Sequence, residues 1–233
     1  MKAAISIGLL LALSLTLLAA QVQSPEATPA QPQPIGSSAI WQPAKSLLNS
    51  VKKECSQAQY PNFDDCFVAQ MEKNGAPADA VAFARLIGGG FMRDFRKAGR
   101  VDIAYISYPF RANANQACLL VNGDPNVVDV DDSKLWPQEL LAKDPTYTAL
   151  AKKYPKISVW PGGRSGTAYP KATALSTGGQ NFIVSYYLQN GCLSCARVGT
   201  ASFGFHFDIS GKFAGTKLAG VQAGSADPSS SGY

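Results

Sequence analysis

The chain has 233 residues, of which 46% are hydrophobic and 16% are charged, and its formal net charge at pH 7 is +5. Basic residues are dispersed, and the longest basic features are the pairs Lys52-Lys53 and Lys152-Lys153. The chain therefore lacks the continuous basic stripe that nucleic-acid binding requires, and we expect no nucleic-acid partner.

The N-terminus has the pattern of a secretory signal peptide. Lys2 precedes an uncharged apolar run from Ala3 to Ala20, and a small, polar segment follows without a basic stop-transfer flank. We therefore expect cleavage of residues 1–20 before Gln21, no membrane span in the mature form, and a periplasmic or secreted protein. An uncleaved membrane anchor is the alternative, because the run is about the length of a short transmembrane span.

Composition divides the remainder into three parts. Residues 21–38 are rich in Pro and Gln and carry too little apolar surface to offset the entropy of ordering, which predicts a flexible tether. Residues 39–223 are long enough to bury the core of a single domain. Residues 224–233 are predicted to form a disordered tail.

Helix signals dominate the first part of the domain. Pro43 favours a first helix toward Cys55, Asn62 is a candidate N-cap for a second helix, and Pro77 favours the start of a third. After Gly88–Gly90 the apolar spacing predicts that a helix resumes over residues 91–97.

Strand signals dominate the rest. Alternation predicts strands over 101–108, 117–121, 182–188, 202–208 and 213–221, with a long loop over 161–180. Phe203, Phe205 and Phe207 share one strand face, so His206 points the other way. Helices before antiparallel strands indicate an α+β fold in which the helices pack on a curved antiparallel sheet, with a cystatin- or NTF2-like cone as the analogy.

The chain has five cysteines, and export favours their oxidation. Cys55 and Cys66 flank a short connection between two predicted helices, which favours a disulfide. Cys192 and Cys195 form a Cys-x-x-Cys motif in a predicted hairpin loop, where a structural disulfide is favoured over a redox-active dithiol or a metal site. Cys118, within an apolar strand, is expected to be free and buried.

The sequence contains one histidine, no recognised nucleophile motif and no complete set of metal ligands, so it implies no cofactor and no metal. We expect an exported, non-catalytic binding or envelope-accessory protein whose partner is an unknown protein or small ligand. The alternative is an extracytoplasmic thiol-disulfide protein that uses Cys192 and Cys195. One set of residues is expected to line a ligand pocket unless its tyrosines simply cover the core: Tyr105, Arg111, Arg164, Tyr186 and His206.

Overall fold

A computed structural model describes residues 33–57, 62–111, 115–161, 170–192 and 194–224. The predicted signal peptide, most of the tether and residues 225–233 of the predicted tail lie outside these ranges. Residues 33–38 of the tether are described. Among them, Ile35 packs against the domain, and its backbone forms two hydrogen bonds with the side chain of Asn122. None of the described helices is long and apolar enough to cross a membrane.

Five helices lie among the described residues, and local sequence explains their ends. Their bounds are α1 Lys45–Gln57, α2 Phe63–Lys73, α3 Ala78–Ile87, α4 Gln138–Lys143 and α5 Pro145–Lys153. The Asn62 side chain accepts a hydrogen bond from the Asp65 amide at 2.8 Å, which confirms the predicted cap of α2. Gly88, at a φ of 71°, ends α3 in the left-handed conformation that glycine adopts without strain.

The strands form two antiparallel sheets. The first sheet has the order β1-β2-β3-β4, and its strands are β1 Phe91–Arg96, β2 Asp102–Ser107, β3 Gln116–Val121 and β4 Val127–Asp129. In the second sheet the order is β5-β7-β8-β9, and β6 pairs beside β5 on the same edge of β7. Its strands are β5 Ile157–Pro161, β6 Lys171–Ala174, β7 Gln180–Asn190, β8 Arg197–Phe207 and β9 Phe213–Ala223. The α+β prediction is confirmed, whereas the cystatin or NTF2 analogy stays a prediction.

The first sheet lies between the N-terminal helices and the second sheet. On one side, Ile106 and Leu119 pack with Phe83 of α3. On the other side, Ile103 and Leu120 pack in one cluster with the inner residues of the second sheet. That cluster contains five aromatic side chains that are almost fully buried: Phe182, Tyr186, Phe203, Phe205 and Phe207. The main core therefore lies between the sheets.

Two predicted elements are wrong. Residues 91–97 were expected to be helical, but Phe91–Arg96 is the edge strand β1. A bulge between Met92 and Asp94 places Met92 and Phe95 in the same apolar cluster, and this spacing of three imitates a helical face. The expected loop over 161–180 contains β6, whose four residues are all exposed and so carry no apolar alternation.

One side chain joins the first sheet to the second. Gln180 Oε1 accepts hydrogen bonds from the amides of Arg100 and Val101 at 3.0 and 2.8 Å. Its Nε2 donates to the carbonyls of Ala98 and Val101 at 2.9 and 3.1 Å. The Gln180 amide thus satisfies the backbone of the turn between β1 and β2 from the first residue of β7.

We expect Gln180→Ala to lower the free energy of unfolding by about 2–4 kcal/mol, because it leaves several partly buried backbone groups without partners. Urea denaturation would measure the loss. Gln222→Ala removes the same side chain at an exposed position of β9 and is the matched control, with an expected change within about 0.5 kcal/mol. Equal losses in the two variants would contradict the joining role of Gln180.

Candidate functional site

The two tyrosines of the predicted ligand pocket lie in the core. Tyr186 is fully buried, and its hydroxyl donates to the Val130 carbonyl at 2.5 Å. Burial raises the pKa of Tyr186 far above its ordinary value. Tyr105 is 4% exposed and belongs to the same core between the sheets. Of the two interpretations considered for these tyrosines, their positions favour the structural one, that they cover the core.

The other predicted pocket residues are not brought to the tyrosines. The exposed Arg111 stacks on Tyr108, with 3.5 Å between its guanidinium carbon and the ring centroid, on the side of the first sheet that faces α3. His206 points away from the core on the opposite side of the molecule, since Phe205 and Phe207 beside it are buried inward. Arg164 lies outside the described residues. The described members of the set therefore do not converge on one pocket.

Tyr105 also lines a shallow groove along the edge strand β1. The groove has a volume of about 420 Å³, and its other lining residues are Gln42, Pro43, Phe91, Arg93 and Asp94. Arg93 Nε is buried there and has no hydrogen-bond partner among the described residues. Of the four predicted ligand residues that the structure describes, only Tyr105 lines this groove, so the groove does not reproduce the predicted pocket.

Two cysteine pairs lie at disulfide distance and fit the predicted pairing. Cys55 and Cys66 join α1 to α2 with an S–S distance of 2.02 Å, and both are buried. The sulfur atoms of Cys192 and Cys195 lie 2.25 Å apart in the turn between β7 and β8, where Cys192 is exposed. Cys118 is unpaired, and desolvation raises the pKa of its thiol well above the usual value, although the residue as a whole is half-buried. These pairs are compatible with an exported protein.

The second sheet has an outward side on which no layer packs among the described residues. Leu141 and Leu150, from α4 and α5, join the core on the other side of this sheet. None of the described helices packs on the outward side. We call this side the outer face and define it by the residues of β7 and β8 that alternate with the buried positions, together with their register partners on β5, β6 and β9: Trp160, Lys171, Thr173, Asn181, Ile183, Ser185, Tyr187, Arg197, Thr200, Ser202, Gly204, His206, Lys217, Gly220 and Gln222.

Strand register arranges the outer face from an aromatic end to a basic end. At the aromatic end, Trp160 pairs with Tyr187, and the guanidinium carbon of Arg197 lies 4.1 Å from the Tyr187 ring centroid. In the middle, the hydroxyls of Ser185 and Ser202 lie 3.0 Å apart. The basic end holds one residue from each of three strands: Lys171, His206 and Lys217.

Gly204 has no side chain, which leaves room on this face for polar atoms of two neighbouring residues. A Cβ built on Gly204 would lie 2.7 Å from Asn181 Oδ1 and 3.2 Å from His206 Nε2, so both polar atoms lie directly above this glycine. Asn181 Oδ1 is buried and accepts no hydrogen bond from a described residue. Desolvation, with a smaller contribution from Lys217, lowers the pKa of His206 below its ordinary value.

The outer face has no carboxylate of its own. Between residues 145 and 224 the sequence has eight basic residues and one acidic residue, Asp208. Asp208 Oδ1 instead accepts three hydrogen bonds within the turn between β8 and β9, at 2.6, 2.8 and 3.0 Å. Within the described parts of this range no basic side chain makes an ion pair, whereas Arg85 pairs with Glu72 on the helices. The outer face is therefore a cationic surface with no internal counter-charge.

Sequence reasoning missed the outer face because it examined runs of adjacent basic residues. Lys171, Arg197 and Lys217 are far apart along the chain, and only the pairing of β6, β7, β8 and β9 brings them to one surface. The usable signal was the scarcity of carboxylates after residue 144.

Comparison of the chain with protein-family models, with curated proteins and with solved structures finds no match. Among the described residues, no group of acidic, histidine or cysteine side chains has the arrangement of a metal site.

Tyr186 and Tyr187 offer a direct test of which side of the second sheet is structural. We expect Tyr186→Phe to lower the free energy of unfolding by about 1 kcal/mol, because the hydrogen bond to Val130 is lost while Trp136 still donates to that carbonyl at 3.0 Å. Tyr187→Phe, on the outer face, should change stability by less than about 0.5 kcal/mol. Urea denaturation of both variants would measure the difference, and a larger loss for Tyr187→Phe would contradict the assignment.

Proposed function

We propose that this protein is an exported, non-catalytic binding module that holds an anionic partner on the outer face of its second sheet. The observation that carries the proposal is the uncompensated positive charge of Lys171, Arg197 and Lys217 on a surface without a described covering layer. Surface charges of one sign attract a partner of the opposite sign and guide its approach.

Localisation belongs to the same proposal. The N-terminal pattern at residues 1–20 favours export, and the cysteine pairs at disulfide distance are typical of an oxidising compartment. A periplasmic or secreted protein meets anionic components of the cell envelope there, which suits an envelope-accessory role.

The test compares two triple variants of the mature chain that lose the same charge. Lys171→Gln, Arg197→Gln and Lys217→Gln together should weaken binding to cell envelopes of the producing organism at least about tenfold, since three exposed contacts at about 0.5–1 kcal/mol each contribute about 1.5–3 kcal/mol in total. The control is the combination of Lys45→Gln, Lys52→Gln and Lys53→Gln on the exposed surface of α1.

Co-sedimentation at increasing salt concentration would measure the affinities. The outer-face variant should also lose part of the salt dependence, because fewer ion contacts form. An equal loss in the control would mean that net charge alone drives binding. Unchanged binding by the outer-face variant would contradict the proposal.

A second candidate function rests on Cys192. This residue is exposed in the turn between β7 and β8 and lies at disulfide distance from Cys195, so a partner thiol can reach it. In such an exchange the disulfide takes two electrons and two protons from a partner dithiol, which becomes oxidised. The pair lies between two strands and not at a helix N-terminus, so it lacks the helix dipole that lowers the thiol pKa in thioredoxin-type sites.

A redox function predicts a reduction potential for Cys192–Cys195 of about −270 mV or higher, and a structural disulfide predicts one below about −300 mV. Equilibration with glutathione redox buffers, followed by alkylation and mass spectrometry, would measure it. The buried pair Cys55–Cys66 is the internal reference in the same sample. A value for Cys192–Cys195 as low as that of the reference would exclude the redox function.

A further inference from the structure

The outer face is divided into chemically different zones along its strands. Thr200 lies at the aromatic end, and Gly204, four positions further along β8, pairs with Lys217 at the basic end. At about 3.3 Å per residue the two zones lie about 13 Å apart. A single small anion cannot contact both, so the ligand that matches this face is extended and carries repeated negative charge.

The aromatic end provides rings for stacking. Trp160 and Tyr187 are register partners on adjacent strands, and both are half-buried, so part of each ring remains accessible. Trp160 Nε1 donates to Ser158 Oγ at 2.8 Å, which orients the indole along β5. The electron-rich face of an aromatic ring attracts the weakly positive C–H groups of a sugar ring, so this pair suits a carbohydrate.

The middle of the face argues against a typical protein partner. Protein interfaces bind through an apolar centre that is surrounded by a polar rim. Here the centre consists mainly of small or hydroxyl side chains, Ser185, Ser202 and Gly220, and Ile183 contributes a single aliphatic side chain beside them, while the large aromatic rings lie at one end. A flat chain of hydroxyl-bearing rings fits such a shallow polar strip and exchanges hydrogen bonds with it.

We propose that the outer face binds an acidic polysaccharide. Sugar rings stack on Trp160 and Tyr187, hydroxyls of the ligand bond to Ser185 and Ser202, and its carboxylates pair with the cations of the face. The cations are Lys171, Arg197 and Lys217. This inference rests on the proposed function, because it names the chemical class of the partner at the same surface.

The test uses the full mature chain and three polymers at equal charge or residue concentration. Polygalacturonate provides rings and carboxylates, its fully methyl-esterified form provides rings without charge, and poly-L-glutamate provides carboxylates without rings. We expect polygalacturonate to bind at least about tenfold more tightly than either of the others in affinity electrophoresis or titration calorimetry.

Single changes separate the two contributions. Trp160→Ala should weaken polygalacturonate binding about tenfold and leave poly-L-glutamate binding unchanged, whereas Trp160→Phe should retain most of the affinity. Lys171→Gln with Lys217→Gln should weaken both acidic polymers, and Lys52→Gln with Lys53→Gln on α1 should weaken neither. Urea denaturation checks each variant for folding, and Tyr187→Leu replaces Trp160→Ala if the latter unfolds.

The outcomes distinguish this inference from the function on which it rests. If poly-L-glutamate binds as tightly as polygalacturonate and loss of the Trp160 ring has no effect, the partner is an acidic protein or a general polyanion. The polysaccharide inference then fails while the binding function stands. If the outer-face lysine variant binds both acidic polymers like the wild type, both proposals are overturned.

Discussion

The structure depends on burial of the aromatic inner side of the second sheet against the first. Phe182, Tyr186 and Phe203 occupy the centre of this interface, and the rings of Tyr186 and Phe203 pack in a tilted arrangement with 4.7 Å between their centroids. Fully burying one such side chain contributes about 1.5–3 kcal/mol, so the interface supplies a large part of the favourable free energy of folding. The first sheet is packed on both of its sides, because α3 covers the side that faces away from the second sheet.

The same constraint creates the candidate site. A strand places successive side chains on opposite sides, so every residue drawn into the core leaves its neighbours facing outward. Tyr187 and His206 are on the outer face because Tyr186 and Phe207 are in the core. Gly204, between Phe203 and Phe205, places no side chain on the outer face, and polar atoms of Asn181 and His206 occupy the space above it. Core packing and the chemistry of the outer face are thus two results of one alternation.

The two cysteine pairs connect parts of the chain that lie outside this interface. The Cys55–Cys66 pair connects α1 to α2, which pack in a separate cluster with Phe67 and Met71. In the chain-entropy account, a disulfide that closes a loop of this length contributes about 3 kcal/mol. The Cys192–Cys195 pair closes the turn between β7 and β8, and so lies near the aromatic end of the outer face, where Arg197 begins β8.

The sequence by itself determined the features that depend on near neighbours. Asn62 is a helix cap because a short polar side chain precedes α2, and Phe203, Phe205 and Phe207 share one face because strands alternate. It also determined that Tyr186 and Tyr187 point to opposite sides. Only the tertiary structure decided which of the two is buried, since alternation carries no information about the side on which the first sheet packs. Pairing between distant strands likewise made residues 91–96 an edge strand and brought Lys171 and Lys217 to one surface, because such contacts leave no periodic signal along the chain.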